Sequence, residues 1–358
     1  FIKIDVVRPY SFQLYQKYIS KITEENVQKL LVSLNKIAIQ QGLEDVSKLR
    51  QDTTVVASNI HYPTNNSLVW DCIKESKRLL MLLSKEVEGL SYRDYTVSGK
   101  KTFFKINNTR IGDKRIDLFK KQMIVFTKCI NQISNVVKKK PGSSLRSLAL
   151  HVRMENFLPV MQQVFTMTER KEIRAEKVPN DQKIFSIYER HTDIIVKGGR
   201  DIQGGRDIQF GHKVSLSTGK SNLILNCQVL KGNPSDSGLY QSTIDKVIAD
   251  YGVIPRDSVA DGGYASKANS EHALGAGIKN IVFNKITGSL KNIVSSQNIE
   301  TRLKKWRSGI EANISNFKRG FNIRCCNWKG DAHFKAKVLW SAIAYNVRVM
   351  TSKLILQL

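Results

Sequence analysis

The stretch WRSGIEANISNFKRG, residues 306–320, holds a single carboxylate, Glu311, with Arg307 one helical turn before it and Lys318 seven residues after it. At 100° per residue, Leu303, Trp306, Ile310, Ile314 and Phe317 make one apolar stripe, and Arg307, Glu311 and Lys318 cluster at its border. The charges therefore meet the edge of a buried face, although Arg307 and Glu311 are also an ordinary i, i+4 pair of the kind found on any exposed helix. Two aspartates stand out beside them. Asp52 lies in a threonine- and valine-rich strand, where aspartate is disfavoured unless a hydrogen bond or a metal rewards it. Asp261 follows the short strand SVA and precedes GGYAS, at a strand end of the kind where α/β sheets collect ligands; a plain Asp-Gly turn accounts for it equally well. Three carboxylates meeting over one sheet edge repel each other unless a cation sits among them. Oxygen donors with no histidine or cysteine nearby select Mg²⁺ or Mn²⁺, and a pair of such ions stabilises the attacking and leaving oxygens of an in-line phosphoryl transfer. Arg307 and Lys318 would then hold the neighbouring phosphates.

These residues need a sheet and a helix to bring them together. Residues 23–41 read as an amphipathic helix with Thr23 as N-cap, with Val27, Leu30, Leu31, Leu34, Ile37 and Ala38 on one face and Gly42 beyond its end. KLRQDTTVVASNI, residues 48–60, is too short for a helix and reads as a core strand carrying Asp52. From about 70 to 180 the pattern is helical and basic, with 13 lysines and arginines against two acids between residues 100 and 146. Such a surface suits a DNA backbone, and a merely solvated face suits it as well. FGHKVSLSTG and SNLILNCQVLKG (210–219 and 221–232) read as a hairpin turning at STGKS. A helix closed by Gly252 follows, then the strand DSVAD, a helix, the strand IKNIVF and terminal helices from about residue 300. The implied fold class is α/β with a mixed sheet. GGRDIQGGRDIQ, residues 198–209, is a tandem hexapeptide that reads as a duplication absorbed in a surface turn.

Composition narrows the partners. Lysine plus arginine exceed aspartate plus glutamate 57 to 31, a net +26, which makes a polyanion the favoured large partner, with nucleic acid ahead of an acidic membrane. The longest apolar run, LLMLL at 79–83, is far short of a membrane span. Five cysteines never form a Cys-x-x-Cys pair, so neither a disulfide framework nor a zinc knuckle is indicated. The six scattered histidines show no metal-ligand spacing. Because the chain starts at Phe1, a missing amino-terminal segment is expected.

The sequence resembles bacterial insertion-sequence transposases of the DDE type, most closely the ISNCY group. The phrases HTDIIVKGGRDIQFGHKV (allowing for the second GGRDIQ here), GNPSDS, DGGYAS, RSGIEANISNFKRG and CNWKG carry the resemblance between residues 191 and 330. The acidic triad of that family falls on Asp52, Asp261 and Glu311, and its Tyr-Arg-Glu-Lys signature is matched by Arg307, Glu311 and Lys318, with Lys304 in the tyrosine position. The family carries GGRDIQ once rather than twice, and has a further amino-terminal region.

The resemblance implies a ribonuclease-H-like mixed sheet with flanking helices and a helical insertion between its first and second core strands. It divides the chain into an amino-terminal helical segment 1–47, a catalytic core of 48–62 and 186–345, and a basic insertion 63–185. It further implies Mg²⁺ or Mn²⁺, two ions, held by Asp52, Asp261 and Glu311, with Arg307, Lys318 and Lys304 on DNA phosphates and His61, His212, Asn233 and Asp236 nearby. Expected partners are the terminal inverted repeats and target DNA, bound by a homodimer in the bacterial cytoplasm and nucleoid-associated when on DNA. The activity implied is hydrolysis at the element ends followed by strand transfer. A nuclease or resolvase that cuts without joining, and an inactive DNA-binding remnant, are the alternatives.

Overall fold

The threonine- and valine-rich segment around Asp52 becomes the central strand of a mixed sheet. The computed structural model describes residues 11–19, 21–139, 142–200, 206–286 and 288–357. In chain order the elements are α1 (Phe12–Ile19), α2 (Glu24–Gln40), β1 (Lys48–Ser58), α3 (Asn65–Leu83), α4 (Thr96–Asn107), α5 (Asp113–Val137) and α6 (Leu145–Thr168). There follow β2 (Asp193–Arg200), β3 (Arg206–Thr218), β4 (Ile224–Val229), α7 (Tyr240–Tyr251), β5 (Asp257–Asp261) and α8 (Lys267–Gly275). β6 (Asn280–Asn284), α9 (Gln297–Gly320), β7 (Cys325–Cys326) and α10 (Asp331–Gln357) complete the chain. It forms two compact units, residues 1–59 with 191–358, and residues 60–190. The helix α2 belongs to the first of these.

In the first unit β3 runs antiparallel to both β1 and β4, while β5 runs parallel to β1 and β6. The order β4–β3–β1–β5–β6, with β3 reversed against the other four, is the ribonuclease-H-like arrangement expected from the resemblance. Two further strands join it: β2 pairs with the start of β3, and β7 with the end of β1. Neither has a strong local signal. In DIIVKGGR three apolar residues run straight into a lysine and two glycines, and two cysteines are too few to show alternation. The duplicated hexapeptide falls partly on residues 201–205, outside the described residues.

Strand alternation gives the sheet two faces. Val56, Val214 and Leu216 pack against Val27 and Leu31 of α2, Phe317 of α9 and Phe334 and Leu339 of α10. Leu49, Ala260 and Phe283 face the other way, against Tyr240 and Ile244 of α7 and Ala273 of α8. Thr23 caps α2 through the Asn26 N–H, and Gly42 beyond its end takes a φ of +68°, as the sequence suggests. The buried stripe of α2 is Val27, Leu31, Asn35 and Ala38, whereas Leu30 and Ile37, expected on that face, are exposed. Asn35 turns the helix. Its amide donates to Ile224 O and Tyr251 Oη, both at 2.9 Å, and its carbonyl accepts from Asn346 at 2.8 Å. A buried amide requires such partners, and they lie only on that side.

The second unit is built on α3–α6. Leu79, Leu80, Phe126, Ile133, Met154 and Val164 are central to its core. Ile124 of α5 is exposed. Lys100, Lys101, Lys105, Lys114, Lys120, Lys121 and Lys128 all lie on its surface. Among the described residues no helix is long and apolar enough to cross a membrane.

Candidate active site

β1 and β5 set the site. Their register pairs Arg50 with Val259, and two residues further on the same alignment brings Asp52 beside Asp261 at the carboxyl end of β5. Along β1 the residues Arg50, Asp52, Thr54 and Val56 point to the face that α9 covers, so a carboxylate in this strand meets the helix rather than solvent.

Arg50 fixes how α9 lies. It is 1% exposed, and its Nη1 donates to the Trp306 carbonyl at 2.6 Å, its Nε to Thr218 Oγ1 at 2.9 Å and its Nη2 to Asn222 Oδ1. The Trp306 ring lies 4.7 Å from the guanidinium carbon. One turn along the helix is Gly309, where a Cβ would come within 2.7 Å of Arg50 Nη1; glycine is what lets the helix backbone approach so closely.

With α9 held there, Arg307 reaches all three acids. Its Nη2 donates to Asp52 Oδ2 at 2.9 Å and lies 3.8 Å from Asp261 Oδ1, while Nη1 donates to Glu311 Oε1 at 3.3 Å. The side-chain exposures grade outward, 9% for Arg307, 18% for Asp52, 44% for Asp261 and 70% for Glu311. The amphipathic reading set Arg307 at the border of the buried face; it lies inside it, because its guanidinium is neutralised there. Asp261 and Glu311 instead open to solvent.

The site holds more negative than positive charge. Burial pushes the Asp52 carboxyl up to about 6; Arg307 and the Thr53 N–H, which donates to Oδ1 at 2.8 Å, pull it back, and the neighbouring carboxylates of Asp261 and Asp236 push it further. Asp236 accepts from Thr53 Oγ1 at 3.1 Å and pairs with Lys213 at 2.7 Å. Together with Asn233 these residues line a cleft of about 320 Å³. The donors at the triad are all carboxylate oxygens, and burial raises the pKa of the deepest of them, Asp52. This is a set that fits a hard divalent cation.

The remaining candidates are distributed as follows. Lys318 Nζ donates to Val55 O at 2.7 Å, which ties α9 to β1, and Lys304 pairs with Glu300 at 2.6 Å. Asn233 donates to Val196 O at 3.3 Å. His212 pairs in register with Val56, four residues along β1 from Asp52, and hydrogen-bonds His191 rather than any acid of the triad. His61 belongs to the helical unit, where Nε2 and Asp71 Oδ2 are 2.6 Å apart. Sequence reasoning missed Arg50 and Lys213. The available signal for Arg50 was its place two residues before Asp52, on the same strand face; nothing local marks Lys213.

The raised carboxyl gives a signed expectation. A group with a folded pKa near 6 and an unfolded value of 3.8 favours folding below about pH 4, and that contribution is lost as pH rises through 6. In metal-free buffer, denaturant titrations of the Asp52→Asn variant should therefore improve relative to the parent by roughly 2–3 kcal/mol between pH 4 and pH 7. A pH-independent difference would contradict the assigned burial.

A family model described as a transposase DDE domain matches residues 150–347, more than half of the chain, and includes Asp261 and Glu311 but not Asp52. No curated protein and no solved structure matches. The ribonuclease-H-like order of the sheet, the acids gathered at its edge and this match agree: the chain belongs to the transposase DDE-domain family and is a transposase, an enzyme that acts on DNA.

Proposed function

We propose that this transposase moves an insertion sequence by hydrolysing phosphodiester bonds at the element ends and then using the freed 3′-OH to attack target DNA, with Asp52, Asp261 and Glu311 as ligands of Mg²⁺ or Mn²⁺. The observation that carries this reading is the convergence of three carboxylates, from β1, the carboxyl end of β5 and α9, on one buried guanidinium. A pair of divalent ions held by those acids supplies Lewis-acid stabilisation of the charge that develops on the reacting phosphate.

The protein's own groups do the positioning. Arg50 and Lys318 hold α9 against β1, so that Arg307 of that helix meets Asp52, Asp261 and Glu311. Arg307 compensates the carboxylates and keeps them aligned. Its donors reach a DNA phosphate once those oxygens are compensated otherwise, and Lys304 and Lys318 add positive charge along the same helix. Asp52 sits deepest, and Glu311 is the most exposed acid. The net charge of +26 and the lysines of α4 and α5 support salt-dependent phosphate binding rather than base reading. Holding two ends together calls for at least two copies of the chain, working in the cytoplasm on the nucleoid.

The reading is tested by incubating the full chain with DNA from either flank of its own reading frame in Mg²⁺ or Mn²⁺. Joined products longer than the substrates are expected. Nicks without joining would leave only the hydrolytic half, and intact DNA in both metals would overturn the proposal.

A further inference from the structure

A second cluster of ligand-type side chains lies on the same sheet face, away from the triad. His191 precedes β2, His212 lies in β3 and Asp331 opens α10, and one ligand atom from each falls within 4.8 Å of the others. His212 is four residues from Asp52 in β-sheet register, about 13 Å at roughly 3.3 Å per residue.

The hydrogen bonds decide which nitrogen of His212 faces the cluster. Its Nδ1 lies 3.2 Å from the Leu230 carbonyl and 3.4 Å from Asp193 Oδ2, both acceptors, so Nδ1 carries the proton. Nε2 then presents a lone pair toward His191 Nδ1, 2.7 Å away. An imidazole that donates through one nitrogen to a carbonyl and a carboxylate, and offers the other to a shared point, has the outer-shell support seen around metal-ligating histidines. His212 is 3% exposed, and the Phe334 ring packs edge-on against both imidazoles, at 4.8 and 5.5 Å. Asp331, in the first turn of α10, pairs with Lys335 at 3.2 Å.

We propose that His191, His212 and Asp331 form a transition-metal site of the Zn²⁺ type, which clips the β2–β3 ribbon to the start of α10. Two imidazole nitrogens and one carboxylate oxygen make a borderline donor set with room for a water as fourth ligand. The triad, all oxygen, prefers harder ions. The protein therefore sorts its metals by ligand chemistry, with Mg²⁺ or Mn²⁺ at the sheet edge and Zn²⁺ at the clip. When the ion enters, the His191 proton shifts from Nδ1 to Nε2 and the nitrogens at 2.7 Å part by about 0.6 Å, since two bonds of about 2.05 Å at a tetrahedral angle span roughly 3.3 Å.

The test uses the full chain stripped with chelator, then given Zn²⁺ alone in a large excess of Mg²⁺, with bound zinc measured per chain after gel filtration. One equivalent is expected, retained in Glu311→Gln, and accompanied by a higher melting temperature. His191→Ala and Asp331→Asn should each weaken zinc binding by at least about tenfold. Asp331 is exposed, so its variant is expected to fold even if substitutions at buried His212 do not; circular dichroism checks this. Co²⁺ in place of Zn²⁺ should give visible absorption that both variants lose. Failure to retain zinc, or retention equal in parent and both variants, overturns the site.

Discussion

Glu311→Gln is expected to lower DNA cleavage and joining by at least about 10³-fold while leaving the fold intact, equivalent to raising the barrier by roughly 4 kcal/mol. The two halves of this expectation come from different numbers. Glu311 is 70% exposed and its pairing with Arg307 is at 3.3 Å, so its structural contribution is that of a surface ion pair, less than about 1 kcal/mol. The melting temperature should hold within a few degrees. Function is another matter, because on the proposed reading the substitution removes one of three anionic ligands of the divalent ions. Asp261→Asn should behave alike, being 44% exposed. The measurement is 3′-OH product on a denaturing gel, alongside a melting curve. Activity within tenfold of the parent in a folded Glu311→Gln chain would remove Glu311 from the chemistry.

The largest stability effect is expected at a residue outside the triad. Arg50→Ala should cost about 3–5 kcal/mol. Among the described residues Arg50 has no carboxylate in contact; burial lowers its pKa to about 10, with Tyr345 and Glu44 opposing, and its charge is satisfied by Thr218 Oγ1, Asn222 Oδ1 and the Trp306 carbonyl. Truncation leaves these acceptors without their donor and opens space between β1 and α9. Arg50→Lys keeps the charge but lacks the planar fork that reaches three acceptors, so it should recover less than half of the loss. Since Arg50 also sets where α9 lies, the lysine variant should lose divalent-ion affinity in proportion. A cost below about 1 kcal/mol from denaturant titration of Arg50→Ala would show that α9 is held by its apolar face alone.

Much of this architecture was legible in the sequence, for identifiable reasons. β1, the β3–β4 hairpin, β5 and β6 carry β-branched residues between strong turn signals, α2 carries an N-cap threonine, and α2 and α9 carry apolar stripes. The acids were visible because each breaks a local expectation, a carboxylate in a strand, at a strand end, or alone in a basic helix. What could not be read was how buried charge is compensated. Nothing local says that Arg307 turns inward, that Arg50 is buried against Trp306, or that Lys213 pairs with Asp236 across the β1 edge. Such partners are separated by 23 to 256 residues, and only the register of β1 with β3 and β5 brings them together. The same holds for His191, His212 and Asp331, which looked scattered because their spacing matches no local metal motif.

The central claim is that Asp52, Asp261 and Glu311 hold divalent cations beside DNA. Crystals grown with Mn²⁺ and examined by anomalous scattering test it most directly. The account predicts manganese bounded by the carboxylates of Asp52 and Asp261, with Arg307 drawn off Asp52 and the peak lost in Asp261→Asn. Manganese absent from that place at millimolar concentration, with Arg307 still bridging the three acids, would contradict it.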